Sequence, residues 1–146
     1  MKIFIASDHA GYDVKELIKN DLQNEYEIID LGTTSNESVD YPNYAFNVGT
    51  NVVENPTSLG ILICGTGIGM SIACNKVKGI RCAKVANASE ASLARLHNNA
   101  NVIALSSKMD YQELIKCINV FLTTPFSNEE RHIRRINKIT EYENEH

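Results

Sequence analysis

The residue best suited to chemistry is a cysteine that leads into a glycine-rich turn. The segment reads Cys64-Gly65-Thr66-Gly67-Ile68-Gly69-Met70-Ser71. It joins the most apolar run of the chain to a helical pattern, and its glycines let free N–H groups point at one anion. The field of those groups and of the helix N-terminus favours the reactive thiolate. We therefore interpret Cys64 as a functional thiol, with a buried cysteine before a structural turn as the alternative.

Three familiar glycine-rich motifs do not fit this segment. A dinucleotide fingerprint would need its third glycine where Met70 stands. A Walker loop would need a lysine at that same position, before Ser71. A cysteine phosphatase would need an arginine there, six positions after Cys64. The turn is therefore predicted to serve an anion site of another kind.

Three further segments carry polar residues suited to binding. Asp8 and His9 follow an apolar run and suit hydroxyl and anion binding, with a helix cap as the alternative. Arg131 and Arg135 share a helix face, where they could grip a phosphate or form an ordinary solvated surface. His97 ends a helical pattern, where a cation at the helix C-terminus is the structural alternative.

The elements that must position these residues alternate along the chain. Five strands are predicted from short apolar or β-branched runs at residues 3–6, 26–31, 59–64, 81–85 and 102–105. A helical pattern follows each, and the last three helices are predicted to open at the caps Asn87, Asp110 and Ser127. The pattern predicts an α/β fold, a three-layer α/β/α Rossmann-like sandwich with a five-stranded parallel sheet and helices on both faces. Its site is expected at the carboxyl ends of the strands.

Length and composition narrow the class of protein. A chain of 146 residues is expected to form one domain, spanning residues 1–146. Its net charge of −4 argues against a general nucleic-acid-binding surface. No apolar run approaches the roughly 20 residues of a membrane span, and no signal peptide is expected. The four cysteines lack zinc-site spacing, so we interpret them as reduced thiols of a cytoplasmic protein.

Taken in order along the chain, the motifs match a known family. The matching segments are Asp8-His9-Ala10-Gly11, Asp40-Tyr41-Pro42, residues 60–69, Asn75-Lys76, Gly79-Ile80-Arg81, His97-Asn98, Asn101-Val102 and Arg131-His132-x-x-Arg135. Together they resemble ribose-5-phosphate isomerase type B, within the sugar-phosphate isomerases that include galactose-6-phosphate isomerase. The resemblance covers nearly the whole chain, and the Cys-Gly-Thr-Gly-Ile-Gly block is its most specific element.

The resemblance implies an aldose–ketose isomerase. Such an enzyme interconverts D-ribose 5-phosphate and D-ribulose 5-phosphate through an enediolate, in the non-oxidative branch of the pentose phosphate pathway. It implies no metal or organic cofactor, no nucleic acid or membrane partner, and a homodimer or dimer of dimers with composite active sites. A six-carbon substrate, allose or galactose 6-phosphate, is the alternative, followed by a non-catalytic phosphate- or nucleotide-binding domain.

The resemblance also implies roles for individual residues. Cys64 is the implied base, Thr66 lies beside the reacting carbons, and His97 donates the proton that opens the furanose ring. The implied oxyanion donors are the N–H groups of Gly65, Thr66, Gly67, Ile68 and Gly69. The other implied substrate contacts are Asp8, His9, Tyr41, Asn98, Lys108, Arg131 and Arg135. His97 and Asn98 are implied to enter the site of the neighbouring subunit.

The segment after the fifth predicted strand departs from that family. The family usually carries Gly-x-Arg there, with the arginine on the phosphate, whereas this chain reads Ser106-Ser107-Lys108. The positive charge is kept, but the bidentate fork of arginine is lost. We therefore expect the change to affect phosphate affinity.

Overall fold

A five-stranded parallel sheet forms the centre of the protein, in a computed structural model that describes residues 1–146. The strands are β1 (Lys2–Ser7), β2 (Glu27–Asp30), β3 (Leu59–Cys64), β4 (Cys82–Lys84) and β5 (Val102–Ser106). Their order across the sheet is β2-β1-β3-β5-β4, and every neighbouring pair is parallel. The predicted parallel sheet is confirmed, although β4 is shorter than the predicted run.

Helices cover both faces of the sheet. They are α1 (Tyr12–Leu22), α2 (Tyr41–Glu54), α3 (Ile68–Cys74), α4 (Ala88–Asn98), α5 (Tyr111–Thr123) and α6 (Glu130–Glu145). The helices α1, α4 and α5 pack on one face, whereas α2 and α3 pack on the other. These layers confirm the predicted α/β/α sandwich. None of the helices combines the length and the apolar character that a membrane span needs.

Strand β3 is buried along its whole length and contributes side chains to the cores on both faces of the sheet. Ile61 and Ile63 point into the core under α1, α4 and α5. Leu62 and Cys64 point into the opposite core, where Met70 of α3 lies. A parallel strand covered on both faces must be apolar at every position, which explains the unbroken apolar run. The candidate residue Cys64 is thereby anchored at the end of a strand that is buried at every position.

The strand order sets where a ligand can bind. The chain leaves β1 towards β2 on one side and returns to β3 on the other, so a topological switch point lies between β1 and β3. The segments that follow these two strands flank this point at the carboxyl edge of the sheet, where open α/β sheets bind ligands. Those segments are Asp8–His9 and Cys64–Gly69.

The last helix begins later than predicted. Asn128 has a φ of 58°, in the left-handed region, which interrupts the helical backbone. The hydroxyl of Ser127 accepts the N–H of Glu129 at 3.2 Å and lies 2.7 Å from Nδ1 of His132. The prediction that Ser127 caps this helix is therefore wrong, because α6 begins at Glu130, beyond the interruption.

Candidate active site

Cys64 ends β3 and is enclosed by the glycine-rich turn. Its side chain is buried, and its Sγ accepts the N–H of Gly67 at 3.1 Å. Gly67 has a φ of 80°, and a Cβ there would lie 3.0 Å from the backbone carbon of Leu105. Only glycine fits this position without strain. The N–H of Gly67 therefore fixes the Cys64 sulphur against the turn.

The N–H groups of the turn fall into two sets. Those of Gly67 and Ile68 are used inside the turn, the second by Oγ1 of Thr66 at 3.2 Å. Those of Gly65, Thr66 and Gly69 donate to no group of the protein. Three of the five N–H groups that the resemblance implies as oxyanion donors are therefore left for an anion, and those of Gly67 and Ile68 are already used inside the turn.

Asp8 and His9 stand beside this turn, at the end of β1. The buried carboxylate of Asp8 accepts the N–H of Gly11 at 3.1 Å and caps a short 3₁₀ turn, as the structural alternative predicts. Nδ1 of the half-buried His9 accepts the N–H of Val39 at 3.2 Å. In a neutral imidazole that acceptor role places the ring proton on Nε2. His9 can therefore act as a hydrogen-bond donor without being charged.

Tyr41 covers the far end of the turn. It opens α2, and a Cβ built on Gly69 would lie 2.6 Å from its ring. The glycine is required here because the aromatic ring occupies the space that any side chain would take. Tyr41 remains 38% exposed, so its ring forms an outer wall of the turn.

Residues at the end of β5 form hydrogen bonds to the glycine-rich turn. Cys64 and Ser106 are partners in the register of β3 and β5. The Ser106 hydroxyl donates to the carbonyl of Gly65 at 2.7 Å and accepts the N–H of Lys108 at 3.1 Å. The N–H of Ser107 donates to the carbonyl of Cys64 at 2.9 Å. Lys108 is exposed at this same edge of the sheet.

His97 and Asn98 lie at the other edge of the sheet. Helix α4 begins after the carboxyl end of β4 and runs back, so its last turn reaches the amino end of β5. Asn99 closes the helix with a φ of 46°, in the left-handed region. Both His97 and Asn98 are exposed. One chain therefore does not bring them together with Cys64.

His97 lies against a buried histidine that the sequence analysis did not single out. The ring centroids of His97 and His132 are 4.4 Å apart, and His132 is 4% exposed. Burial lowers the pKa of His132, and the neighbouring His97 and Arg131 lower it further against the opposing carboxylate of Glu129. The neutral form of His132 is therefore favoured. Its place next to Arg131 in the matching motif was the only sequence signal that pointed to it.

The two predicted phosphate ligands of α6 lie with His97. The start of α6 is tied to the end of α4, because the N–H of Ser127 donates to the carbonyl of Leu96 at 3.1 Å. Arg131 and Arg135 are both exposed, and the first forms an ion pair with Glu129 at 3.4 Å. Arg135 forms no ion pair within the chain, so its guanidinium is available to a ligand.

The turn after Cys64 is an open surface in a single chain. Three cavities of about 520, 400 and 390 Å³ lie elsewhere, and none is lined by residues of this turn. Ile68 and Ile72, one helical turn apart beside it, are 54% and 59% exposed. No group of three His, Cys, Asp or Glu side chains that could hold a metal ion forms in the chain.

Comparison with known proteins identifies the family. Residues 3–139 match the family described as ribose/galactose isomerase. The chain belongs to the ribose/galactose isomerase family. This confirms the resemblance that the motifs carry, and it holds for nearly the whole chain.

Individual relatives within the ribose/galactose isomerase family are similar over their full length. A probable ribose-5-phosphate isomerase B of Mycoplasma pneumoniae is 47% identical, over 98% of this chain and 95% of that protein. The structure of the Clostridium thermocellum ribose-5-phosphate isomerase B superposes with a TM-score of 0.95, at 43% identity and 99% coverage of both chains. The structure of the Mycoplasma genitalium ribose-5-phosphate isomerase B with bound ribulose-5-phosphate superposes with a TM-score of 0.95. The two chains are 46% identical, and the match covers 99% of this chain and 97% of that one.

In this member of the ribose/galactose isomerase family, the predicted site residues form two groups. The first lies at the carboxyl edge of the sheet and contains Asp8, His9, Tyr41, Cys64, Gly65, Thr66, Gly67, Ile68, Gly69 and Lys108. The second lies where α4 ends and α6 begins and contains His97, Asn98, Arg131 and Arg135. The expectation that the site lies at the carboxyl ends of the strands therefore covers the first group only.

Proposed function

We propose that this chain interconverts D-ribose 5-phosphate and D-ribulose 5-phosphate. The observation that carries the proposal is the contact between Sγ of Cys64 and the N–H of Gly67, beside three N–H donors with no protein acceptor. A thiolate next to such donors suits proton transfer between neighbouring carbons while charge develops on oxygen. The Mycoplasma genitalium relative, with ribulose-5-phosphate bound, supports the same substrate.

In the proposed reaction, Cys64 takes the proton from C2 of the open-chain aldose. The enediolate that forms is stabilised by the N–H groups of Gly65, Thr66 and Gly69, which are held in place before the charge develops. The proton then returns to C1 while the O2 hydroxyl proton passes to O1, and the ketose results. Because Oγ1 of Thr66 already accepts the N–H of Ile68, its own hydroxyl proton remains free to donate to the substrate.

The substrate must open its ring before this step. Ribose 5-phosphate closes to a furanose through its 4-hydroxyl, and the ring oxygen needs a proton when the ring opens. We assign that proton to His97, with Asn98 binding the sugar hydroxyls beside it. The exposed position of both residues leaves them accessible to a sugar bound at a second surface.

Two copies of the chain are proposed to build each site. The two groups of site residues lie at opposite edges of one sheet, and the turn after Cys64 is not enclosed. In a homodimer, or in each half of a dimer of dimers, the end of α4 from one copy covers the turn of its neighbour. Two-fold symmetry repeats the contact, so both sites become complete together. Ile68 and Ile72 offer exposed apolar surface beside the turn for this contact.

The phosphate is proposed to bind between residues of both copies. His9 offers its Nε2 proton, since Val39 holds Nδ1, and Lys108 adds a positive charge at the same edge. Arg131 and Arg135 approach from the neighbour, four residues apart on one helix face. A bidentate guanidinium–phosphate contact is the strongest that these side chains offer.

The remaining expectations follow from this chemistry. Residues 1–146 act as one isomerase domain that needs no metal or organic cofactor, because hydrogen bonds polarise the carbonyl. Its partners are the sugar phosphate and a second copy of the chain, rather than nucleic acid or a membrane. All four cysteines are free thiols, which supports a reducing compartment, the cytoplasm.

A coupled assay with the purified chain tests the proposed function. Ribose 5-phosphate, allose 6-phosphate and galactose 6-phosphate are offered in turn, and ketose formation is measured. We expect the highest kcat/KM with ribose 5-phosphate. A higher value with a six-carbon sugar would contradict the pentose assignment, and no turnover with any of the three would favour a non-catalytic binding domain.

A further inference from the structure

The hydroxyl of Ser106 makes two hydrogen bonds that the proposed mechanism does not use. It donates to the carbonyl of Gly65 at 2.7 Å and accepts the N–H of Lys108 at 3.1 Å. The first distance is at the centre of the range for a well-formed hydroxyl–carbonyl bond. The second fixes the hydroxyl from its acceptor side. The hydroxyl is therefore held at both ends, between the end of β5 and the glycine-rich turn.

The hydroxyl of Ser106 is the hydrogen-bond donor that the Gly65 carbonyl has within the chain. A Cβ built on Gly65 would meet only the Cβ of Ala10, at 4.0 Å, so no neighbour presses closely on the Cα of this residue. Glycine has no steric preference of its own that would choose one orientation of the peptide. The hydrogen bond from Ser106 is therefore the polar contact that fixes the direction of this peptide plane.

That plane also carries a proposed oxyanion donor. In a trans peptide the carbonyl and the N–H of the next residue point in opposite directions. Holding the Gly65 carbonyl towards β5 directs the N–H of Thr66 away from β5. This N–H donates to no group of the protein.

We propose that Ser106 is a positioning residue that aims the Thr66 N–H at the oxygen on which the enediolate charge develops. Ser106 touches no reacting atom and acts through the Gly65–Thr66 peptide. The assignment rests on the proposed function, because the developing charge belongs to the isomerase reaction. Donors that are oriented before the reaction avoid reorganisation when charge appears, which is the source of their catalytic effect.

Steady-state kinetics of Ser106→Ala test this role. Complete loss of one oxyanion donor costs about 10²–10³ in kcat, and a loosened donor should cost less, about threefold to tenfold. The KM for ribose 5-phosphate should stay within about twofold, because the interaction strengthens only in the transition state. Ser106→Thr, which keeps the hydroxyl, should restore kcat. Ser107→Ala is the matched control, since Ser107 contributes its backbone N–H and not its side chain.

The separate effects of Ser106→Ala on KM and on kcat show which of the two Ser106 hydrogen bonds matters for the reaction. If the hydroxyl served only the Lys108 backbone, Ser106→Ala would move that proposed phosphate ligand, and KM would rise at unchanged kcat. That outcome would overturn the proposal. An unchanged pair of constants would overturn it as well.

A second measurement does not depend on turnover. The ¹⁵N relaxation order parameter of the Thr66 amide reports the ps–ns mobility of that N–H vector. It should fall in Ser106→Ala and stay at the parental value in Ser107→Ala and Ser106→Thr. An unchanged order parameter in Ser106→Ala overturns the proposal whatever the rate does. Absence of turnover by the parent chain would refute the proposed function separately, and the Thr66 measurement would still decide whether Ser106 orients the peptide.

Discussion

Cys64 and His97 lie at opposite edges of the same parallel sheet. Cys64 is the last residue of β3, at the carboxyl edge, whereas His97 belongs to the last turn of α4, which has run back to the amino edge. A helix that joins two parallel strands must return in this way, so the separation follows from the α/β connection itself. If both residues serve one reaction, they must come from two copies of the chain.

Mixing two inactive variants tests this composite site. Cys64→Ala and His97→Asn subunits each lack one function, but a mixed dimer holds one site in which both residues are intact. Random mixing should therefore restore activity to about a quarter of the parental rate per chain, given two-fold symmetry. The rate of ribulose 5-phosphate formation is measured before and after the subunits are exchanged.

The control for this experiment is native mass spectrometry, which confirms that mixed dimers have formed. If exchange is complete and activity does not return, Cys64 and His97 act in the site of a single subunit. That result would contradict the two-copy arrangement and leave the base assignment of Cys64 untouched.

His97→Asn should separate ring opening from proton transfer. Ribose 5-phosphate reacts through a furanose, whereas a four-carbon aldose phosphate has no free hydroxyl with which to close that ring. General acid catalysis contributes a factor of about 10²–10⁴ in rate, so turnover of ribose 5-phosphate should decrease by a factor in that range. Turnover of erythrose 4-phosphate should change far less. Equal losses on both substrates would place His97 in the enolisation step instead.

Lys108 should act mainly on KM, because the phosphate is bound about equally in the ground and transition states. Lys108→Arg provides a second donor in a fixed fork. It should lower KM for ribose 5-phosphate about fivefold, which corresponds to about 1 kcal/mol, with little change in kcat. Lys108→Ala should raise KM, and added salt should weaken the effect because Lys108 is exposed. An alanine variant with the parental KM at low ionic strength would remove Lys108 from the site.

A buried lysine should control stability rather than catalysis. Lys15 of α1 is fully buried, and its Nζ lies 2.5 Å from Oδ2 of Asp30 at the end of β2. Asp30→Asn removes the closer carboxylate partner of this ammonium and leaves only Glu16, whose Oε1 lies at 3.3 Å. The change should lower the free energy of unfolding by about 3 kcal/mol, the lower end of the range for a broken buried ion pair. Lys19 binds the same carboxylate from a more exposed position, so Lys19→Met should cost less than about 1 kcal/mol. Urea unfolding at neutral pH compares the two variants.

The same carboxylate should make stability depend on pH. Burial alone would raise the pKa of Asp30, but hydrogen bonds from Lys15, Lys19 and the N–H of Gly32 hold the pKa below its ordinary value of 3.8. The folded state then binds fewer protons than the unfolded state near that pH. The stabilisation is complete above the ordinary pKa and is lost as the pH falls through the lowered one. The free energy of unfolding should therefore fall more steeply in the parent than in Asp30→Asn below about pH 4, and parallel curves would contradict this assignment.

Sequence periodicity was sufficient to predict the elements of the fold and their parallel sheet. The caps Asn87 and Asp110 also accept the N–H groups of Glu90 and Glu113, as the spacing predicts. Ser127 fails as a cap because Asn128 adopts a left-handed conformation that spacing alone does not reveal. Local sequence signals therefore predicted which strands and helices form, but they misplaced the start of α6.

The candidate site was harder to predict from the sequence than the fold. The glycine-rich turn is a local motif, so its residues could be found directly. The role of Ser106 depends on the register that pairs it with Cys64 across two strands distant in sequence. The contact between His97 and His132 depends on how α6 packs against α4. Such relations between elements arise from tertiary packing, which no local pattern encodes.

Turnover of Cys64→Ala tests whether Cys64 is the base of a ribose 5-phosphate isomerase. Loss of a general base should lower kcat by about 10²–10⁴, while the variant stays folded and still binds the phosphate. Cys82→Ala, which removes a thiol outside the proposed site, should keep the parental rate. Near-parental turnover of ribose 5-phosphate by Cys64→Ala would contradict the account.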